Sequence, residues 1–389
     1  MIIHVVNPGD SVYKIAEMYG TSPEQIIFDN KLMNPDRLVV GQTLVINNVA
    51  KNPNLENSLY INPVNKRTII VNGYTYPNTD PAILSSAFPY LTYISIFSYQ
   101  VLPDGNLTPI DDQPVIEQAI QSGVAPKMVV TNIEQGGDFS SELAREIFTS
   151  DQAQDRMIQN ILNTMSKKDY VGVDIDFEYL YPEDRERYND LLEKIRNAIH
   201  PYGYILSAAI APKTSAQQPG LLYEAHDYSA HGYYDDEVII MTYEWGYTYG
   251  PPMAVAPINE VEKVIQYAVT EIPSRKILMG IPNYGYIWEL PYVQGSAATV
   301  ISNPEAVNLA ARVNAAIQYD YTAQSPFFNY YDERGIEHIV WFEDARSIYA
   351  KLQLVEKYNL GGVSYWTVNN PFPQNWLVLR TMFDIMRFV

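Results

Sequence analysis

Residues 170–178 read Tyr-Val-Gly-Val-Asp-Ile-Asp-Phe-Glu, three carboxylates spaced two apart on a segment that otherwise has the composition of a buried strand. Successive side chains on a strand point to opposite faces, so Val173, Ile175 and Phe177 share one face and Asp174, Asp176 and Glu178 the other. An ordinary amphipathic strand turns its acids to water. This one is entered from a helical stretch over 151–165 and left through another over 182–199, so it belongs to a βα series. Strands in such series are covered outside by helices, and their polar face points into a barrel or crevice. Three ionised carboxylates there would repel one another, so at least one proton should stay bound at neutral pH. A carboxylic acid kept protonated beside a carboxylate is what a glycosidase needs to protonate a leaving oxygen. Two other readings stand beside this one: a solvated acidic edge strand, and a hard-cation site of the Asp-x-Asp-x-Glu kind.

Outward from that segment, strand-like runs at 68–74, 93–99, 128–133, 171–177, 205–211, 238–243, 277–284 and 362–366 alternate with helical patterns. Eight βα repeats predict an α/β chain folded as a (β/α)8 TIM barrel, with its site at the C-terminal ends of the strands. The seventh connection, about 290–345, is too long for one helix. Segments 318–322 and 337–341, around the turn Tyr330-Tyr331-Asp332-Glu333-Arg334-Gly335, predict a small α+β insertion containing a hairpin and walling one side of the cleft.

The acidic segment resembles the signature of family 18 glycoside hydrolases (chitinases and relatives), Asp-Gly-x-Asp-x-Asp-x-Glu. By that resemblance Glu178 falls on the general acid, Asp176 on its partner and Asp174 on the carboxylate behind it. Val171 stands where the family has its first Asp, an outermost position that is not the proton donor, so a difference in tuning is implied. Met241-Thr242-Tyr243-Glu244 matches the family's Met-x-Tyr-Asp, with Tyr243 on the acetamido carbonyl and Glu244 one methylene longer than the usual Asp. The segment Gly280-Ile281-Pro282-Asn283-Tyr284-Gly285 resembles the seventh-strand motif, and Trp366 sits where the family floors the cleaved sugar. Tyr74 and Thr131 fall where the first and third strands supply hydroxyls that support the inner Asp. Met241 and Asn283 join Glu244, Tyr74, Thr131 and Trp366 as substrate-binding candidates. For Tyr74, Thr131 and Asn283, packing or capping is an equal reading, and Trp245, Trp288, Trp341 and Trp376 are either sugar platforms or interior packing.

Residues 1–48 form a unit of their own, a βααβ order in which 4–6 and 38–46 are strands. The turn at Gly9-Asp10-Ser11 feeds a first helix ended by Gly20. Ser22-Pro23-Glu24-Gln25 then predicts an N-cap, a first-turn Pro and a capping box. The Pro-Gly-Asp-Ser and Val-Gly-Gln-x-Leu segments make this unit similar to a LysM domain, which binds glycans containing N-acetylglucosamine. That resemblance implies a sugar groove flanked by Gly9, Asp10, Ser11 and Val12 on one side and by the loop after Asn30 on the other. One copy gives no avidity within a chain. Polar, turn-rich residues 49–66 are expected to be the linker, and 67–389 the catalytic barrel.

Composition narrows the partners. A net charge of −19 argues against nucleic acid, and no apolar run is long enough for a membrane span. With no cysteine and five scattered histidines, neither a thiolate metal site nor any cofactor is expected. Aromatic residues at 13%, 32 of them Tyr, are more than such a core needs, and stacking on sugar faces is one use for the surplus. No signal peptide is visible.

A carboxylate-nucleophile glycosidase needs a second free carboxylate about 5 Å from the acid across the bond. Asp176 and Glu178 lie on one strand face, ~6–7 Å apart by strand rise, and aim the same way. That suits an acid and its partner, and the family's substrate-assisted route fits it. Three classes of function follow: a cell-wall glycosidase, a glycan-binding protein on an inactive barrel, and a metal-dependent hydrolase using the carboxylate trio. A LysM unit ahead of a family 18 barrel resembles the spore-cortex-lytic N-acetylglucosaminidases of endospore formers. That implies peptidoglycan or a chitin-like N-acetylglucosamine polymer as partner, a monomer, and association with the spore or cell wall.

Overall fold

The computed structural model describes residues 1–388 except 48, 50–57, 63–65 and 135. Most of the expected linker, and the expected boundary at 48, lie outside the described residues.

The N-terminal unit runs β1 (Ile2–Val5), α1 (Val12–Tyr19), α2 (Pro23–Asn30) and β2 (Thr43–Ile46). Its helices start where polar caps dictate, since the Ser11 and Ser22 hydroxyls accept from the backbone N–H groups of Lys14 and Gln25. Gln25 turns its amide to Asp29, so only the Ser22 half of the expected capping box forms. Within the expected linker, β3 (Ser58–Tyr60) forms a strand that pairs antiparallel with β1 and makes the sheet three-stranded, in the order β2-β1-β3.

The barrel follows as β4 (Thr68–Thr75), α3 (Pro81–Ala87), β5 (Tyr93–Gln100), α4 (Gln113–Gln121), β6 (Ala125–Thr131), α5 (Ser141–Phe148) and α6 (Asp151–Lys168). It continues through β7 (Gly172–Asp176), α7 (Arg185–Ile199), β8 (Ile205–Ile210), α8 (Tyr228–Tyr234), β9 (Glu237–Ile240), α9 (Ile258–Glu271) and β10 (Ile277–Pro282). An excursion then carries β11 (Gly285–Leu290), β12 (Thr299–Ile301), α10 (Asn303–Arg312), β13 (Gln318–Asp320), β14 (Ser325–Tyr331) and β15 (Glu337–Trp341). Last come α11 (Ala345–Lys357), β16 (Gly362–Trp366), α12 (Pro373–Met382) and the short β17 (Asp384–Ile385).

Strands β4 to β10 and β16 are parallel neighbours, and the β16–β4 pairing closes the ring into the expected eight-stranded barrel. The predicted insertion is a separate five-stranded sheet, ordered β12-β11-β15-β14-β13, with α10 packed on it. Its β14–β15 hairpin turns at the expected residues.

The N-terminal unit is built into the barrel. Ile3 and Val45 belong to the same buried cluster as the barrel core, and Val39 is packed among Ile301, Ala306, Ile317 and Phe342 of the insertion region. Main chain meets main chain where the Ile317 N–H donates to the Val40 carbonyl at 2.8 Å. Gln374, at the start of α12, reaches across to Thr43 and Asn30. No helix among the described residues is long and apolar enough to cross a membrane.

Candidate active site

The C-terminal ends of the barrel strands surround a cavity of about 820 Å³ lined by Tyr74, Asp176, Glu178, Met241, Tyr243, Glu244 and Trp366, among others. No Lys or Arg among the described residues is in that lining. Asp176 and Glu178 reach it because the alternation of β7, a regular strand between β6 and β8, carries on for two residues past its end at Asp176; Asp174, on the same strand face, is fully buried outside the lining. Gly172 lets the strand pass, since a β-carbon there would stand 2.3 Å from the Ile205 carbonyl oxygen.

The inner carboxylate, Asp174, is fully buried and doubly held. It accepts from the phenol of Tyr74 and, at 2.6 Å, from the hydroxyl of Ser207, its register partner on β8. Burial pushes its pKa up, and the Lys127 ammonium, 3.3 Å from that hydroxyl and paired with Glu237, works against the rise. Asp176 is pushed well above the carboxylate range, by burial first and then by Glu178 and Asp174. One oxygen of Asp176 is buried without a partner. Glu178 is pushed up to about 7, by burial and then by the charge of Glu244. Burial and like charge thus favour keeping at least one proton among the three.

Tyr243 faces the cavity, its phenol held protonated by burial and the surrounding acids. Its ring fits because residue 280 is glycine: a β-carbon there would lie 2.8 Å from the ring. Glu244 takes φ of +69°, a left-handed conformation that side chains disfavour, and accepts from the phenols of Tyr284 and Tyr286. Trp366 is met edge-on by Tyr74, Tyr76 and Phe97, with ring centroids 5.4, 6.2 and 5.0 Å away. Phe139, Tyr179, Tyr223, Trp245 and Tyr247 continue the aromatic lining.

Two barrel candidates lie elsewhere. The hydroxyl of Thr131 sits 3.0 Å from that of Ser98, and Ser207 takes the place expected for it beside Asp174. Asn283 is buried outside the cavity lining and donates to the carbonyls of Thr367 and Asn370, tying the end of β10 to the loop after β16. Of the four further tryptophans only Trp245 lines the cavity; Trp288 and Trp376 are buried, and Trp341 stacks on Phe327. The insertion does not itself line the cavity but stands behind it, reaching the site through Tyr286.

In the small unit, Gly9 turns with φ of +87° and Ser11 caps α1. The Asp10 carboxylate accepts from the Asn7 N–H at 2.8 Å and pairs with His4 at 3.1 Å. Val12 is a core residue, and the Asn30 side chain is consumed by Ile26, Val45 and Gln374, so neither offers its side chain to a ligand. Sequence reasoning missed Ser207, and also Asn132 and His226, which grip the main chain around Glu178. Asn132 has as its signal the polar pair Thr131-Asn132 that ends an apolar strand run, and Ser207 its place at the same height on the next strand; His226 has none.

The family model for glycosyl hydrolases family 18 matches residues 116–370, and the LysM domain model matches residues 4–47. The chain is 40% identical over 427 residues to the cortical fragment-lytic enzyme of Bacillus anthracis, covering 99% of each. It is 41% identical over 430 residues to the cortical fragment-lytic enzyme of Bacillus subtilis (strain 168), covering 100% of this chain and 99% of that one. Among solved structures it is similar to the spore cortex-lytic enzyme SleL of Bacillus cereus, with a TM-score of 0.93, 39% identity and 99% of each chain covered. It is also similar to a chitinase from Chromobacterium violaceum, with a TM-score of 0.76, 25% identity, and 81% of this chain and 98% of that one covered.

Proposed function

The chain belongs to family 18 of the glycosyl hydrolases and is a glycosidase, and from that premise we propose that it cleaves the β-1,4 bond after N-acetylglucosamine in spore-cortex peptidoglycan, with retention and by substrate assistance. The observation that carries this reading is the pair at the end of β7: Asp176, its last residue, and Glu178 two residues on, both lining the cavity, with the pKa of Glu178 raised to about 7. A group that is protonated at working pH and exposed to the cavity can give its proton to the leaving oxygen and later take one from water. Of the other acids lining the cavity, Glu244 is occupied by Tyr284 and Tyr286 and Glu260 by Asn259 and Lys263, while Asp176 lies on the same face as Glu178, so none is placed across the bond to attack C1.

The nucleophile is then the substrate's own 2-acetamido oxygen, which attacks C1 as Glu178 protonates the departing oxygen. Asp176 orients the acetamido N–H and stabilises the oxazolinium charge, Asp174 supports Asp176 from behind, and the Tyr243 phenol holds the acetamido carbonyl. Trp366 floors the sugar, and Met241 and Glu244 complete its surroundings. Water activated by Glu178 opens the ion with the β configuration restored.

The cavity lining, aromatic and with no Lys or Arg among the described residues, suits an uncharged sugar. The lactyl ether of N-acetylmuramic acid would crowd a site floored by Trp366 and closed by Tyr243, which supports N-acetylglucosamine as the attacked ring. The LysM unit binds the same polymer, and the chain acts as a monomer associated with the spore or cell wall. Borohydride reduction of a cortex digest tests the reading. N-acetylglucosaminitol is expected; muramitol in its place would mean that the other bond is cut.

A further inference from the structure

We propose that Asn132 and His226 are positioning residues that aim Glu178, gripping the main chain of the catalytic strand from both sides beyond the point where its sheet partners end. The inference rests on the reading of Glu178 as the general acid. The β6–β7 ladder stops at the pair Thr131–Asp176, and the β7–β8 ladder stops at Ile175–Ala208. Phe177 and Glu178 therefore have no strand neighbour, yet buried N–H and C=O groups require partners.

Side chains supply them. The Asn132 amide copies a peptide group: its nitrogen donates to the Glu178 carbonyl at 2.9 Å, and its oxygen accepts the Glu178 N–H at 2.9 Å. Asn132 is itself buried and fixed by a third bond, to the Ser140 carbonyl at 3.0 Å. On the opposite flank His226, also buried, donates from Nε2 to the Phe177 carbonyl at 2.9 Å, while its Nδ1 accepts the Ala211 N–H at 2.8 Å. That second bond fixes a neutral imidazole with the proton on Nε2, and burial, with His231 behind, lowers its pKa to about 3. The grip is therefore independent of pH over the working range.

Immediately after Glu178 the chain reverses, with Tyr179 at φ of +54°. The acid thus sits on the last residue before a turn, where a free strand end would fray. Held at both peptide groups, its Cα–Cβ direction is set, and a proton donor must be aimed to within about 0.5 Å and 10–20°.

Aim and fold separate by leaving group. A poor leaving group such as a sugar needs the proton from Glu178, whereas a nitrophenolate needs little. Asn132→Leu and His226→Phe keep volume, add no charge and remove the grip on one side each. The measurement is kcat/KM for a series of β-glycosides of the N-acetylglucosamine disaccharide, from dinitrophenyl to sugar leaving groups. We expect each variant to lose on the order of 10-fold to 100-fold on the sugar and little on the dinitrophenyl glycoside, giving a steeper dependence on leaving-group pKa. Loss by the same factor across the series, in whichever variant folds, would overturn the inference. Glu178→Gln in parallel separates the two ideas. If it shows the steep dependence while the grip variants do not, only the positioning role fails; if it retains activity on sugars, the acid is wrongly assigned.

Discussion

Gly41 of the N-terminal unit approaches Ile317 of the insertion so closely that a β-carbon on it would stand 1.8 Å from the Ile317 carbonyl oxygen. Its φ of +85° is a second reason for glycine there. The contact sits beside the Ile317–Val40 hydrogen bond and the buried Val39. A LysM unit hung on a slack linker would have no such constraint.

Gly41→Val should therefore cost roughly 2–4 kcal/mol, from backbone strain and a forced gap at the junction. Removing residues 1–47 should lower Tm as well, because the apolar partners of Val39 would be uncovered. Calorimetry of the full chain, the variant and the shortened chain checks this. Equal Tm values would mean that the two units are thermally independent.

Glu178→Gln keeps shape and hydrogen-bonding size but has no proton to give. Turnover of cortex glycan should fall ~10²–10⁴-fold while affinity for the intact glycan is kept. Kinetics paired with titration calorimetry on the variant will show whether the two separate.

The alkaline limb of activity should lie near pH 7, where Glu178 loses its proton. Glu244 contributes to that position because its negative charge disfavours the ionised form of Glu178. Glu244→Gln removes the repulsion, so the limb should move to lower pH. A limb that stays in place, or rises, would show that Glu244 does not act through charge.

Asp176 offers a test in stability. Its folded-state pKa is raised, so between the ordinary carboxylate range and that raised value the folded chain holds a proton that the unfolded chain releases. Stability must then fall as pH rises through that window. Asp176→Asn removes the term. Its Tm should exceed that of the parent by about 2 °C or more at pH 8, with the gap shrinking toward pH 4, and activity should be lost.

The readable parts of this chain were those governed by local periodicity. Alternation along 171–178 was enough to place Asp174, Asp176 and Glu178 on one inner face, and eight βα repeats were enough for the barrel. Positions tied to a motif, Tyr243 and Trp366, reached the same cavity. What failed was partner choice. Thr131 and Ser207 are both small hydroxyl residues on strands flanking β7, and only the register, which pairs Ser207 with Asp174 and Thr131 with Asp176, separates their roles. Asn283 reads as polar at a strand end and gives no sign that loop carbonyls absorb both its donors. Val39 reads as a strand residue of the small unit, and nothing local reveals that its buried neighbours, Ile301 and beyond, lie some 250 positions or more away.

The seam between the small unit and the barrel also sets what the pair can do together. A module on a free tether searches a volume, and its help to the second site rises and falls with tether length. Here the orientation is set by packed side chains and a shared backbone bond, so, with the small unit bound to the glycan as proposed above, its distance from the acid does not vary. A glycan strand held at one surface can present to the acid only the linkages that fall at that spacing. The unit would then behave as a ruler, and the lengths of the fragments it leaves would carry the imprint of the protein's own dimensions.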